Sequence, residues 1–148
     1  MKIYDIAVVG SGGGTYITDM AMKTGHKVCL IEGTRWGGTC LNRGCIPTKI
    51  MVHAADLIRM TQKASDVAVS GEAMKIDWPA LKRRVFEKIA ESDSLVEYYA
   101  PYENIDLLHG FASFVGKVDY EGHAYFKLLI TTATDEEEIL AEKVVLAN

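Results

Sequence analysis

Two cysteines set the chemistry to be explained: Cys40 and Cys45, a C-x4-C pair inside Gly37-Gly38-Thr39-Cys40-Leu41-Asn42-Arg43-Gly44-Cys45-Ile46-Pro47-Thr48-Lys49. Two such sulfurs can alternate between disulfide and dithiol, one exchanging with an external disulfide while the other passes electrons onward. Pro47 stands where a helix would begin. A thiolate at Cys45 would therefore meet a positive helix end and the Lys49 ammonium, and both favour ionisation below the usual thiol value of about 8.5. No second pair or histidine cluster completes a zinc set, so no metal is expected. An unreactive apolar pair is the competing reading; the glycines, the helix start and Lys49 argue against it.

A second constellation precedes this one. Gly10-Ser11-Gly12-Gly13-Gly14-Thr15 fits the dinucleotide fingerprint G-x-G-x-x-G at its first two glycines, with Thr15 in place of the third. The first glycine of that pattern permits a sharp turn, the second lets backbone approach a pyrophosphate, and the third lets helix and strand pack closely. Thr15 is thus expected to shift the helix slightly while leaving the phosphate contacts intact. Glu32, 22 residues after Gly10, stands where an acid would accept hydrogen bonds from a ribose diol. Its charge disfavours a 2′-phosphate but does not separate FAD from NAD.

These residues need positioning elements, and the hydropathy pattern supplies them. Residues 3–9 form a nearly continuous apolar run that predicts a strand covered on both faces. A helix over 15–24, with Ile17, Met20 and Ala21 at helical spacing, and a strand over 27–31 complete a βαβ unit. An ordered loop is expected over 33–42. A helix from about Pro47 to Lys63 would carry Ile50, Ala54, Leu57, Ile58 and Thr61 near one face. Residues 66–77 predict a connection with one short extended piece. Asp77-Trp78-Pro79 then signals a long helix bearing Leu81, Val85, Ile89 and Val96 and ending near Pro101. Strands follow over 105–108, 111–115, 124–131 and 144–147, with the acidic run 135–138 as a hairpin tip. Met20, Met22, Met51 and Met60 are assigned to helix cores, and Cys29 to a buried strand site. His26, His53, His109 and His123 are scattered and read as structural or surface residues. Lys82-Arg83-Arg84 reads as a solvated helix face. The expected fold is α/β: a Rossmann-like parallel sheet with helices and a small antiparallel β-meander.

Composition agrees with one soluble domain: 148 residues, 49% apolar, with a net charge of −4. That charge argues against nucleic acid as the main partner, and no apolar run is long enough to span a bilayer. An acid at Asp5 disfavours a signal peptide, so a cytoplasmic location is expected.

The segment 37–49 closely resembles the redox-active disulfide motif of the class I pyridine nucleotide-disulfide oxidoreductases, the dihydrolipoamide dehydrogenases in particular. Mycothione, glutathione and mercuric reductases share it. Gly110-Phe111-Ala112-Ser113-Phe114-Val115-Gly116 resembles the family's segment leading into its meander. The resemblance implies FAD, with Gly10, Gly12 and Gly13 at its pyrophosphate, Glu32 at its adenosine ribose, and a backbone contact from Ala112 to adenine. It implies that Thr39 lines the flavin side, that Lys49 tunes the flavin electrostatically, that Cys40 is the interchange thiol, and that Cys45 is the charge-transfer thiol. It further implies a longer, homodimeric enzyme using NAD(P) and a small dithiol, disulfide or lipoyl-domain substrate. On that view residues 1–148 are its FAD-binding domain, without the NAD-binding and dimerisation domains, and inactive alone. A non-catalytic nucleotide-binding module is the alternative from another class.

Overall fold

The computed structural model describes residues 1–72 and 74–148 and divides into two compact units, Met1–Gly38 with Asp93–Asn148, and Thr39–Ser92. The first unit is built on a six-stranded sheet ordered β3-β2-β1-β6-β5-β4. Its strands are β1 (Lys2–Val9), β2 (Val28–Glu32), β3 (Ile105–His109), β4 (Phe111–Tyr120), β5 (His123–Thr131) and β6 (Glu136–Leu146). β3, β2, β1 and β6 run parallel, whereas β4, β5 and the first half of β6 form the antiparallel meander. This is the α/β architecture expected.

The continuous apolar run of β2 makes sense from its two faces. Val28 and Leu30 join Val8, Ala21, Met22, Tyr99 and Ile105 in one cluster. Cys29 and Ile31 join Tyr4, Ala7, Leu108, Leu128, Ile130 and Ile139 in another. Burying each large aliphatic side chain contributes about 1.5–3 kcal/mol, which is why a strand flanked on both sides has no polar alternation. Helices α1 (Gly14–Lys23) and α5 (Ser94–Tyr99) contribute Ala21, Met22 and Tyr99 to the first cluster. Tyr99 is further tied to α1 by its hydroxyl, which donates to Asp19 Oδ1 at 2.7 Å.

Several expectations need correction. The inward face of α1 is Gly14, Thr18, Ala21 and Met22, so Ile17 and Met20 point outward, Met20 with 69% exposure. Of the four methionines assigned to cores only Met22 is buried; Met20, Met51 and Met60 are exposed. The apolar period was read one step out of phase because the small residues Gly14 and Thr18, not the large ones, face the sheet. The strand at the end of the chain is also longer than expected. β6 absorbs residues 136–138 because β5 pairs with all three, Leu129 with Glu138, Ile130 with Glu137 and Thr131 with Glu136, which outweighs the low strand preference of glutamate. The turn is displaced to Thr132–Asp135, closed by Thr132 N–H donating to Asp135 O at 2.9 Å. β4 continues to Tyr120 through an irregularity between Phe114 and Gly116, so Gly116 marks a bulge and not a strand end.

The second unit contains α3 (Cys45–Gln62) and α4 (Trp78–Ala90), which pack together, and it begins within the short helix α2 (Gly38–Arg43). Asp77 caps α4, its Oδ1 accepting the Ala80 N–H at 3.0 Å, as the Asp77-Trp78-Pro79 signal predicts. The single long helix expected from there to Pro101 is broken. α4 stops at Ala90, a 3₁₀ turn covers Glu91–Asp93, and α5 resumes at Ser94. Val96 is exposed, and so is Leu57 on α3. Residues 64–67 form a 3₁₀ turn, and among the described residues of 66–77 there is no strand; Ala73 lies outside the described residues. Among the described residues no helix is long and apolar enough to cross a membrane.

The tightest point of the βαβ unit is Gly14, where an added Cβ would stand 2.7 Å from Val8 Cγ1 on β1. Thr15 sits beside this contact, its Oγ1 donating to Gly12 O at 2.8 Å. Close helix–strand packing therefore falls on Gly14, and Thr15 does not obstruct it. Gly14→Val is expected to destabilise the fold by about 2–3 kcal/mol through overpacking, and Thr15→Ala by less than about 1 kcal/mol. Urea denaturation of the two variants checks this ordering.

Candidate functional site

In the first unit, a group of candidate residues grows from the end of β1. Gly10 adopts φ +104°, and a side chain there would strike Ala147 O at 2.5 Å, so only glycine turns the chain here without strain. Its N–H donates to Ile31 O at 2.8 Å, which lays the turn beside the end of β2. Ser11 is buried, and its hydroxyl donates to Glu32 Oε2 at 2.6 Å while accepting the Gly37 N–H at 2.9 Å. The Ser11 N–H also reaches Oε2, at 3.2 Å. On the other carboxylate oxygen, Oε1 accepts the Thr34 N–H at 2.9 Å and the Thr34 hydroxyl at 3.0 Å. Partial burial pushes the Glu32 pKa up, but the four hydrogen bonds from Ser11 and Thr34 outweigh it and hold the carboxyl below its ordinary 4.5. Glu32 is thus an oriented, ionised acceptor at neutral pH.

Gly12 and Gly13 follow at the start of α1; the Thr15 and Tyr16 N–H groups turn back onto Gly12 O and Gly13 O at 3.3 Å, which leaves the N–H groups of the two glycines themselves for a ligand. A Cβ on Gly13 would meet nothing within 4 Å, and one on Gly12 only Gly38 Cα at 3.5 Å. The protein leaves this space open, and a phosphate chain against bare N–H groups is what such a cradle accommodates. Two of Glu32's four partners are hydroxyls that can rotate aside for a ribose diol. The residues therefore fit an adenine dinucleotide cofactor. Ala112 lies near the start of the edge strand β4, two residues after Gly110, whose N–H donates to Glu32 O at 2.9 Å.

The cysteine pair belongs to the other unit. Cys40 sits on α2 and Cys45 opens α3, both as exposed free thiols. Between them, a Cβ at Gly44 would come 2.9 Å from Thr39 O and 3.3 Å from Cys40 Cα, so a bare backbone lets the short α2 meet the start of the longer α3. The Cys40 thiol pKa is raised, chiefly by its hydrogen bond to the Cys45 side chain, then by desolvation and by the charge of Cys45; Lys49 pulls it the other way. The two thiols are thus in hydrogen-bond contact, with the Lys49 charge acting on Cys40 against the raising effect of Cys45. Thr39 is exposed beside Cys40.

The other singled-out residues lie elsewhere. Cys29 is buried, and burial pushes its thiol up to about 12, which keeps it protonated and unreactive. His26 faces Asp5 at 3.5 Å on the surface. His109 has its Nε2 at 2.6 Å from Thr34 O and its ring 6.1 Å from Trp36, edge to face. Among the described residues no three His, Cys, Asp or Glu side chains gather as a metal set. Sequence reasoning missed Ser11, Thr34, Gly44 and His109. A hydroxyl two residues after a strand-end acid was the local signal for Thr34, but His109 reaches it through strand pairing alone.

The sequence matches the Pyridine nucleotide-disulphide oxidoreductase family over residues 4–148. It is 37% identical over 150 residues to mycothione reductase of Mycobacterium tuberculosis, covering 99% of this chain and 31% of that protein. Glutathione reductase of Schizosaccharomyces pombe is 35% identical over 121 residues, covering 80% of this chain and 26% of that one. Dihydrolipoyl dehydrogenase of Bacillus subtilis is 29% identical over 146 residues, covering 97% and 30%. Among solved structures, the HOCl-induced flavoprotein disulfide reductase of Escherichia coli in its Cu(II) complex superposes with a TM-score of 0.77 at 27% identity, over 100% of this chain and 29% of that one. The chain thus spans about a third or less of the length of the relatives it matches.

Two outcomes follow from the electrostatics. Because the folded pKa of Glu32 is depressed, its contribution to stability is full above about pH 4.5 and is lost as pH falls through the lower folded value. Glu32→Gln should remove that acid-side loss and cost about 1–2 kcal/mol at neutral pH, read from denaturation midpoints across pH 3–7. For the thiols, Cys45→Ser should bring the pH midpoint of Cys40 alkylation down, and Lys49→Met should raise it; mass-resolved alkylation rates measure both.

Proposed function

Because the chain belongs to the pyridine nucleotide-disulphide oxidoreductase family, we propose that it is the FAD-binding, redox-active-disulfide portion of a flavoenzyme that oxidises or reduces a small dithiol, of the dihydrolipoamide dehydrogenase kind. The observation that carries this reading is the pair of exposed free thiols, Cys40 on α2 and Cys45 at the start of α3, in hydrogen-bond contact with each other, Lys49 lying one turn further along α3. In the oxidised form a substrate thiolate attacks Cys40 Sγ; the Cys40–Cys45 bond breaks and its electron pair leaves on Cys45. The second substrate thiol, as its thiolate, then attacks the mixed disulfide, leaves as part of a substrate disulfide, and releases Cys40, which takes up a proton. Two electrons have moved from substrate to the pair. The raised pKa of Cys40 makes it the thiol that keeps the proton, so substrate reduction in the reverse sense requires a base to take it.

Gly10, Gly12, Gly13 and the start of α1 would hold the FAD pyrophosphate, Glu32 the adenosine ribose and the Ala112 backbone the adenine, with Thr39 and Lys49 on the flavin side. Bound FAD supplies a two-electron acceptor that links dithiol chemistry to NAD(P). We read residues 1–148 as one FAD-binding domain, working in the cytoplasm as part of a longer homodimeric enzyme, with a free dithiol or a lipoyl domain as substrate. A mycothione reductase is the second reading, favoured by the 37% identity over 150 residues.

The test is direct. The purified protein should take up FAD and turn yellow, and mild reduction should add a long-wavelength shoulder that Cys45→Ser abolishes without loss of FAD. Gly12→Ala should fold normally, since its Cβ meets only Gly38 Cα at 3.5 Å, yet bind FAD at least about tenfold more weakly. A protein that ignores FAD, or a shoulder that survives Cys45→Ser, overturns the reading. Comparing dihydrolipoamide with mycothione disulfide in the full-length enzyme separates the two substrates.

A further inference from the structure

Glu32 is oriented by Thr34, and Thr34 is itself held from behind. The segment His109-Gly110-Phe111 lies against the loop that follows Glu32 at three points. Gly110 N–H donates to Glu32 O at 2.9 Å. The Phe111 ring lies so close to Gly33 that a Cβ there would stand 2.6 Å from it. His109, paired in register with Glu32, places Nε2 at 2.6 Å from Thr34 O. A carbonyl oxygen only accepts, so Nε2 must carry the hydrogen, which fixes this nitrogen as the protonated one. Trp36 packs edge-on against the same ring and so keeps it from rotating away.

The consequence reaches the acid. Thr34 supplies both hydrogen bonds on Glu32 Oε1, and Gly37, three residues on, donates to the Ser11 hydroxyl that binds Oε2. Both carboxylate oxygens are therefore oriented through the 33–37 loop, and the His109 hydrogen bond is a side-chain contact that anchors this loop at Thr34 from the neighbouring strand. We propose that His109 is a positioning residue for the ribose-binding acid, acting on Glu32 through Thr34. It touches no cofactor atom; it fixes where the acceptor stands. This inference rests on the FAD reading for its consequence in binding, but its effect on Glu32 is a property of the protein alone.

Two measurements on the purified protein separate these. His109→Leu removes the donor, and His109→Gln restores an N–H near the position of Nε2 without the ring or its charge. In His109→Leu the Glu32 carboxylate, followed by carbon-detected NMR, should titrate nearer the ordinary glutamate range, and His109→Gln should return it toward the parent value. FAD, titrated by the quenching of its fluorescence, should bind about five- to tenfold more weakly to His109→Leu and near the parent affinity to His109→Gln. In a Glu32→Gln background, His109→Leu should cause no further loss. Unchanged Glu32 titration in His109→Leu overturns the proposal. Failure of His109→Gln to rescue does so too, since it assigns the effect to imidazolium charge or ring packing. If the parent protein ignores FAD, the cofactor reading falls while the Glu32 titration still decides the role of His109. If His109→Leu does not fold, the Glu32 titration in His109→Gln decides alone: a parent-like value supports the hydrogen-bond role, and a shifted one rejects it.

Discussion

The approach of α1 to β1 is the constraint from which the first unit follows. Ser11, in the turn between them, links three segments: the β1 turn, the end of β2, and Gly37. Two glycines make the approach possible for different reasons. Gly10 takes a positive φ against the Ala147 carbonyl, whereas Gly14 has an ordinary helical backbone and simply lacks the atom that would strike Val8. Overpacking a site of this kind costs a few kcal/mol because neither a strand backbone nor a β-branched side chain has room to yield.

Once the approach is fixed, electrostatics does the rest. A carboxylate at the end of a buried strand would normally lose stability to desolvation. Four short hydrogen bonds reverse that balance for Glu32, so it remains ionised and aimed. The cysteine pair uses the opposite arrangement. Its sulfurs are exposed, and the hydrogen bond to Cys45 raises the Cys40 thiol while the charge of Lys49 opposes it. A third cysteine in the same chain, Cys29, shows what burial without partners does, since its thiol is driven up to about 12 and withdrawn from chemistry.

How much of this was legible beforehand can be followed residue by residue. The cysteine pair, Lys49 and Pro47 are spaced along one short stretch, so their proximity is a property of the local chain, although the helix begins at Cys45, two residues before Pro47. The turn at Gly10 and the cap at Asp77 are legible for the same reason. The phase of α1 was not, because large apolar residues were taken as the inward ones, and the sheet selects Gly14 and Thr18 by the space available. The long helix expected to run to Pro101 was also wrong, since apolar spacing carries on smoothly across Glu91–Asp93 while the backbone there tightens into a 3₁₀ turn.

Taken alone, the order of residues determined the fold class, the glycine turn, the strand-end acid and the paired cysteines, because each depends on neighbours within a few positions. Tertiary structure decided which glycine carries the helix contact, which hydroxyls saturate Glu32, and that His109 stands opposite it. Those relations come from strand register and the closeness of two backbones, over separations such as the 75 residues between His109 and Thr34. Local spacing carries no information about which distant segments will share a hydrogen-bond ladder, and only the packed sheet fixes it.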